Sequence, residues 1–161
     1  DLKIKATETI TLGVDGLTDQ VYVGQIGTDT SSGMKSPSTQ VPCSEQWQDT
    51  AQLTAGALTL NLASLAYGNL AAKNFTGLKV QFIKIRNRST NSAALVVVDG
   101  ASNGYNIWGD ANGSLTIPVG MEVVFAATAT EGLDDIASGD RTIDFSSSDT
   151  DLTFDIQIIA G

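Results

Sequence analysis

The sequence predicts an all-β protein: an antiparallel β-sandwich, jelly-roll-like, of about ten short strands with little helix. Three observations carry this. Apolar residues recur with period two in many short segments, turn residues separate those segments at roughly eight-to-twelve-residue spacing, and no segment sustains a helical 3.6-residue period. With no helix to cover a sheet, the sheets must cover one another.

A chain of 161 residues suits one domain, spanning 1–161. Only 17% of residues are charged, below the usual quarter, while small polar and β-branched residues are abundant, as strands and turns require. No run of eighteen apolar residues occurs, and the opening "DLKIKATETI" lacks the apolar stretch of a secretory signal, so a soluble chain is expected. Asp1 in place of Met points either to a processed end or to a start further upstream.

The first strand is expected in "LKIKATETITL" (2–12), where Leu2, Ile4 and Ala6 alternate with Lys3, Lys5 and Thr7. A second falls in 21–26. Residues 27–45 hold two Pro and many small polar residues without periodicity. This is the longest loop, and loops of that length in small domains are usually functional or mobile. It and an N-terminal arm at 1–8 cannot bury enough apolar area to order alone, and are expected to order against neighbouring chains.

Strands resume at "QWQDTAQL" (46–53) and "ALTLNLASL" (57–65), where Leu58, Leu60 and Leu62 share a face. Residues 64–77 have room for one helical turn. In "LKVQFIKIRNR" (78–88) the alternation changes phase between Phe82 and Ile83, which predicts either a β-bulge or a strand buried on both sides near Phe82. Further strands are expected in "AALVVVDG" (93–100), "YNIW" (105–108), "SLTIPVG" (114–120), "MEVVFAATA" (121–129), "RTIDFSS" (141–147) and "LTFDIQIIAG" (152–161), the last with Leu152, Phe154, Ile156 and Ile158 on one face.

Between Asp99 and Gly113 the chain reads "DGASNGYNIWGDANG". Asn-Gly and Asp-Gly serve hairpin turns and ligand loops alike. The commoner reading is two turns around a short strand whose Trp108 is mostly buried. The alternative is a glycan-binding platform of Trp47, Tyr105 and Trp108, as on a receptor-binding head-fibre or spike module.

Catalytic chemistry finds little to work with. The sequence contains no His and a single Cys, so nucleophilic catalysis with a histidine base is excluded, no internal disulfide forms, and Cys43 reads as an inert thiol. No enzyme activity and no cofactor are expected. Glu131, Asp134, Asp135 and Asp140 form an acidic run that invites calcium, but their spacing matches no EF-hand loop and a solvated turn is the simpler reading.

The net charge of −9 is unevenly distributed: residues 1–88 carry eight Lys or Arg against seven acids, residues 89–161 only Arg141 against eleven. Such acidity argues against nucleic-acid phosphate or anionic membrane as a partner. Against this background Lys84, Arg86 and Arg88 stand on one face of one strand. They are either a solvated row or an interface that meets carboxylates of a neighbouring subunit or shell.

From about residue 46 onward the chain resembles small virion-associated proteins of tailed bacteriophages, often encoded near the major capsid gene. The resemblance rests on "WQDTAQLTAGALTLNLASL", "VQFIKIRN", "LVVVDGASN" followed by Trp108, "LTIPVGMEVVFAAT", "GDRTIDF" and "LTFDIQIIAG". Similar proteins tend to have Pro-Gly-Gly at Pro118-Val119-Gly120 and Gly-Gly-Ala at Asp99-Gly100-Ala101. The resemblance implies a decoration or minor capsid protein on the capsid surface of the virion, a homo-oligomer and specifically a trimer, with the major capsid protein as its partner. Function would then lie in edge strands, loops and termini.

Overall fold

The computed structural model describes residues 44–67, 70–100, 102–108, 113–127 and 132–161. The expected strands at 2–12 and 21–26, the arm at 1–8, the loop at 27–45 apart from its last two residues, Cys43 and Glu131 lie outside these residues.

Among the described residues ten strands follow in chain order: β1 (Glu45–Gln52), β2 (Ala57–Asn61), β3 (Leu65–Tyr67), β4 (Leu70–Lys73), β5 (Val80–Asn87), β6 (Leu95–Asp99), β7 (Ser114–Ile117), β8 (Glu122–Ala126), β9 (Thr142–Ser146) and β10 (Thr153–Ala160). They form two four-stranded antiparallel sheets, β1-β10-β5-β8 (sheet A) and β2-β9-β6-β7 (sheet B), with β3 and β4 as a separate hairpin. Within the sheets the pairing is nested: β1 meets β10, β2 meets β9, β5 meets β8, and β6 meets β7. A long antiparallel hairpin wrapped around itself gives this order, the jelly roll expected from the sequence. No helix occurs among the described residues; β3 and β4 pair where the sequence allowed a helical turn.

Period two explains which side of each strand is buried. Along β10, Phe154, Ile156 and Ile158 point inward, and their partners across β5 are Asn87, Ile85 and Ile83. Phe145 of sheet B stacks on Phe154 of sheet A with ring centroids 4.6 Å apart, joining the two layers. Each fully buried Phe or Leu contributes roughly 2–3 kcal/mol of transfer free energy. One polar side chain sits in this core without penalty. Buried Asn87 donates through Nδ2 to the carbonyls of Ala93 and Ile117, both at 3.0 Å, and accepts from Asn91 Nδ2 at 2.6 Å.

The phase change in β5 satisfies both readings. Ile159 pairs with Phe82 and Ala160 with Val80, so Gln81 is the extra residue of a bulge. Val80, Gln81, Phe82 and Ile83 are also all buried, on both faces of the strand.

Residues 105–108 are not the expected strand: only Gly104 makes a bridge, to Thr142. The reason is Thr142, whose Oγ1 donates to the carbonyls of Ser102 and Asn103 at 2.7 and 3.0 Å and whose own carbonyl accepts the Tyr105 N–H at 2.8 Å. These bonds fold the segment onto β9. Gly104 lies so close to Gly100 that a Cβ there would stand 2.3 Å from the Gly100 carbonyl oxygen.

Candidate interface

Sheet A turns one face inward and the other to solvent. The register places Lys84 of β5 between Gln157 and Val124, and Arg86 between Asp155 and Glu122. Lys84, Arg86 and Arg88 therefore do share the outer face, as alternation requires. They do not form a free basic row. Lys84 Nζ lies 2.9 Å from Glu122 Oε2. Arg88 Nε donates to Asp155 Oδ1 at 3.0 Å, a terminal guanidinium nitrogen makes a second, shorter contact with the same oxygen, and another bond from that nitrogen reaches Thr50 Oγ1 at 2.9 Å. Thr50 in turn donates to Asp155 Oδ1 at 3.0 Å. Arg86 is exposed and has no ion-pair partner among the described residues. The acids that neutralise Lys84 and Arg88 come from adjacent strands of the same sheet, a partnership that i-to-i+2 spacing on one strand does not reveal.

At the rim of this face lies β8, an edge strand. The large apolar side chains that are exposed among the described residues, Val119 (40%), Met121 (56%) and Val124 (47%), all belong to β8 or to the turn that leads into it. That turn closes by the Met121 N–H donating to the Pro118 carbonyl at 3.1 Å. The sequence reading missed this patch. Its signal was present in "MEVVFA", where putting Val123 and Phe125 inside necessarily puts Val124 outside.

The aromatic platform does not assemble. Trp47 is 2% exposed, its indole N–H donating to the Ala66 carbonyl at 2.6 Å, and it faces the core from β1. Tyr105 is fully buried: its hydroxyl accepts the Val80 N–H at 3.2 Å and donates to the Asp134 carbonyl at 2.6 Å. Burial pushes its phenol far above the usual value. Trp108 is mostly buried, as expected: it packs against the core and edge-on against Phe125 with centroids 5.0 Å apart, and its Nε1 is a buried donor without a partner among the described residues. All three rings are thus committed to packing: period two turns Trp47 inward, the Thr142 contacts draw Tyr105 under the loop, and Trp108 lies on the core beside Phe125.

The acidic run spreads out. Asp134, Asp135 and Asp140 are exposed, and Asp135 pairs with Lys79 at 4.0 Å. Asp134 uses its backbone carbonyl to hold Tyr105. Among the described residues no three acids converge as a metal-ligand group. Nor is any helix there long and apolar enough to cross a membrane.

No family model and no curated protein matches the sequence. Among solved structures, a chain of the "Cyanophage Pam1 capsid asymmetric unit" is similar over 83% of this chain and 94% of that chain, with 10% identity and a TM-score of 0.31. At that TM-score the likeness carries no argument for topology or for function.

Proposed function

We propose that the chain is a structural component of a tailed-phage virion, a homo-oligomer that seats on the capsid surface against the major capsid protein and cements the shell. It works as a non-enzymatic protein whose chemistry is that of interfaces. The observation that carries this reading is the composition of one side of the sandwich. Exposed Val124 on an edge strand, with Val119 and Met121 in the turn before it, adjoins a sheet face whose charges are mostly neutralised within the chain. Apolar area concentrated on an otherwise polar surface marks a protein contact. The nested jelly roll is a fold that viral capsid proteins use, although lectins and cupins use it too, so the fold supports the reading by analogy only. The motif resemblance between residue 46 and the C-terminal "LTFDIQIIAG" points the same way.

Mass spectrometry of purified particles tests the proposal. Hundreds of copies per particle, scaling with the major capsid protein, are expected of a cementing protein. A handful would assign the chain to a vertex or tail, and its absence from particles would overturn the virion reading.

A further inference from the structure

Every sandwich has four sheet edges, and unpaired edges must be blunted or covered. Here β1 carries a charge at its rim, the exposed Asp49, in register with Ile156, and Trp47 ties the strand to Ala66 of β3. Strands β2 and β7 are short and turn Thr59 and Thr116 outward. Among the described residues, exposed large apolar side chains occur only on β8 (Val124) and in the turn that leads into it (Val119, Met121).

The hydrogen-bond phase of β8 is fixed by its pairing with β5. Asn87 N–H donates to the Met121 carbonyl at 2.9 Å and Ala127 N–H to the Gln81 carbonyl at 2.7 Å. In an antiparallel pair such bonds fall on every second residue. Met121, Val123, Phe125 and Ala127 therefore bond inward to β5, and Glu122, Val124 and Ala126 direct their N–H and C=O groups to the edge, which no other described strand pairs.

We propose that this edge pairs with β8 of a second copy, antiparallel about a two-fold axis at Val124. In that register Val124 lies opposite Val124 of the partner subunit and Glu122 opposite the partner's Ala126, so the free backbone groups on both chains are satisfied. The intervening pairs place Val123 opposite the partner's Phe125 and Met121 opposite the partner's Ala127. Aromatic against β-branched is a favourable cross-strand pair. Shifting the axis to Glu122 would oppose two like charges, which is unfavourable, and would leave Phe125 unmatched. Self-complementarity of this kind is what a two-fold, isologous contact demands, and it is the reason a second copy fits better than an unrelated strand. Each Glu122 keeps its bond to Lys84, so no charge is stranded at the contact.

A five-residue strand pair with one turn on each side is a small interface, so the dimer is weak in solution and favoured where copies are concentrated. It closes at two. The trimer implied by the family resemblance needs a different, heterologous contact. The pairing is a property of the free chain, and its test is separate from particle composition.

The test is sedimentation of the full chain over a wide concentration range. A monomer–dimer equilibrium is expected, and Val124→Lys is expected to shift it at least tenfold toward monomer with little change in Tm, because Val124 is half exposed in one copy. In a Cys43→Ser background, Val124→Cys is expected to give a disulfide-linked dimer on mild oxidation, whereas Thr116→Cys on the neighbouring edge is not. Strands facing each other in this register hold their Cα atoms about 5.5 Å apart, within disulfide reach. A wild-type chain that stays monomeric, a dimer or trimer indifferent to Val124→Lys, or equal cross-linking at both positions would each overturn the proposal. Should Val124→Lys fail to fold, the cross-linking result alone decides.

Discussion

Arg88, the residue just past β5, grips Asp155 on β10, with Nε donating to Oδ1 at 3.0 Å, and Thr50 on β1 bonds both partners. Three strands of sheet A are tied on their outer face by this one cluster. The positive charge that looked available for an external partner is largely used inside the chain. Charge-assisted hydrogen bonds on a half-buried face order the strands more than they stabilise them.

Arg86 and Arg88 are therefore expected to behave differently although they are two residues apart. Arg88→Gln breaks the cluster and lowers stability by about 1 kcal/mol or less, since both partners keep some solvent contact. Arg86→Gln leaves Tm nearly unchanged. If Arg86 meets a carboxylate on the shell, its loss slows assembly and flattens the salt dependence of the rate, because screening acts on exposed charge. Assembly of Arg86→Gln at the wild-type rate and salt dependence would reduce the row to a solvated face. Thermal melts and assembly kinetics at two ionic strengths separate these outcomes, which a triple replacement would mix.

Tyr105→Phe tests the segment that the sequence left ambiguous. The phenol hydroxyl serves two backbone groups, the buried Val80 N–H and the part-buried Asp134 carbonyl. Removing it leaves both without their partner, at a cost of about 1–3 kcal/mol. Denaturant unfolding should show a lower midpoint at unchanged slope. Burial keeps the phenol neutral, so ultraviolet titration of the native protein should show Tyr105 ionising only when the fold is lost.

Most of the sheet architecture was legible because each strand buries one face and period two records which. Strand β10 is the clearest case: inward Phe154, Ile156 and Ile158, with Leu152 just before the strand, were readable from "LTFDIQII" alone. The phase change near Phe82 was legible too, and the bulge falls one residue earlier, at Gln81. Residues 105–108 misled because "YNIW" has strand composition, while its conformation is set by Thr142, some forty residues away. The ion pairs of Lys84 and Arg88 were illegible for the same reason. Cross-strand partners are fixed by register, and register is a property of the whole sheet. Asn87 gave no sign of burial, since its three partners come from loops and a neighbouring strand.

Ala55→Asn is expected to stabilise the protein. The β1–β2 turn holds both central residues at positive φ, 52° at Ala55 and 81° at Gly56, and is closed by reciprocal bonds between Thr54 and Ala57 at 3.0 and 3.2 Å. That geometry belongs to a type I′ turn, which favours Asn-Gly. An alanine there carries a left-handed cost of roughly 1–2 kcal/mol, part of which Asn relieves. Gly56 admits no such change, because a Cβ would stand 2.8 Å from the Ser147 carbonyl oxygen. Differential scanning calorimetry should find Ala55→Asn melting higher and Gly56→Ala melting lower than wild type.

Asp49 gives the fold a pH dependence opposite in sign to that of a salt-bridged acid. It stands exposed at the rim of the edge strand β1, in register with buried Ile156, and the partial desolvation there raises its pKa above the ordinary 3.8 in spite of a hydrogen bond from the Thr50 backbone. The native state therefore holds this proton to higher pH than the unfolded chain does. Where the folded form binds more protons, stability falls as pH rises. Below 3.8 both states carry the neutral acid and Asp49 costs nothing; above its native pKa both are ionised and the full desolvation cost stands. Asp49→Asn keeps the size and removes the charge. It should melt higher than wild type at pH 7, and the gap should close as pH falls through the native pKa toward 3.8. The charge also protects the edge from pairing, so the same variant should be the more prone to self-association at pH 7. A gap that widens on acidification would mean that Asp49 is held by an attractive partner and that partial desolvation is not what sets its energy.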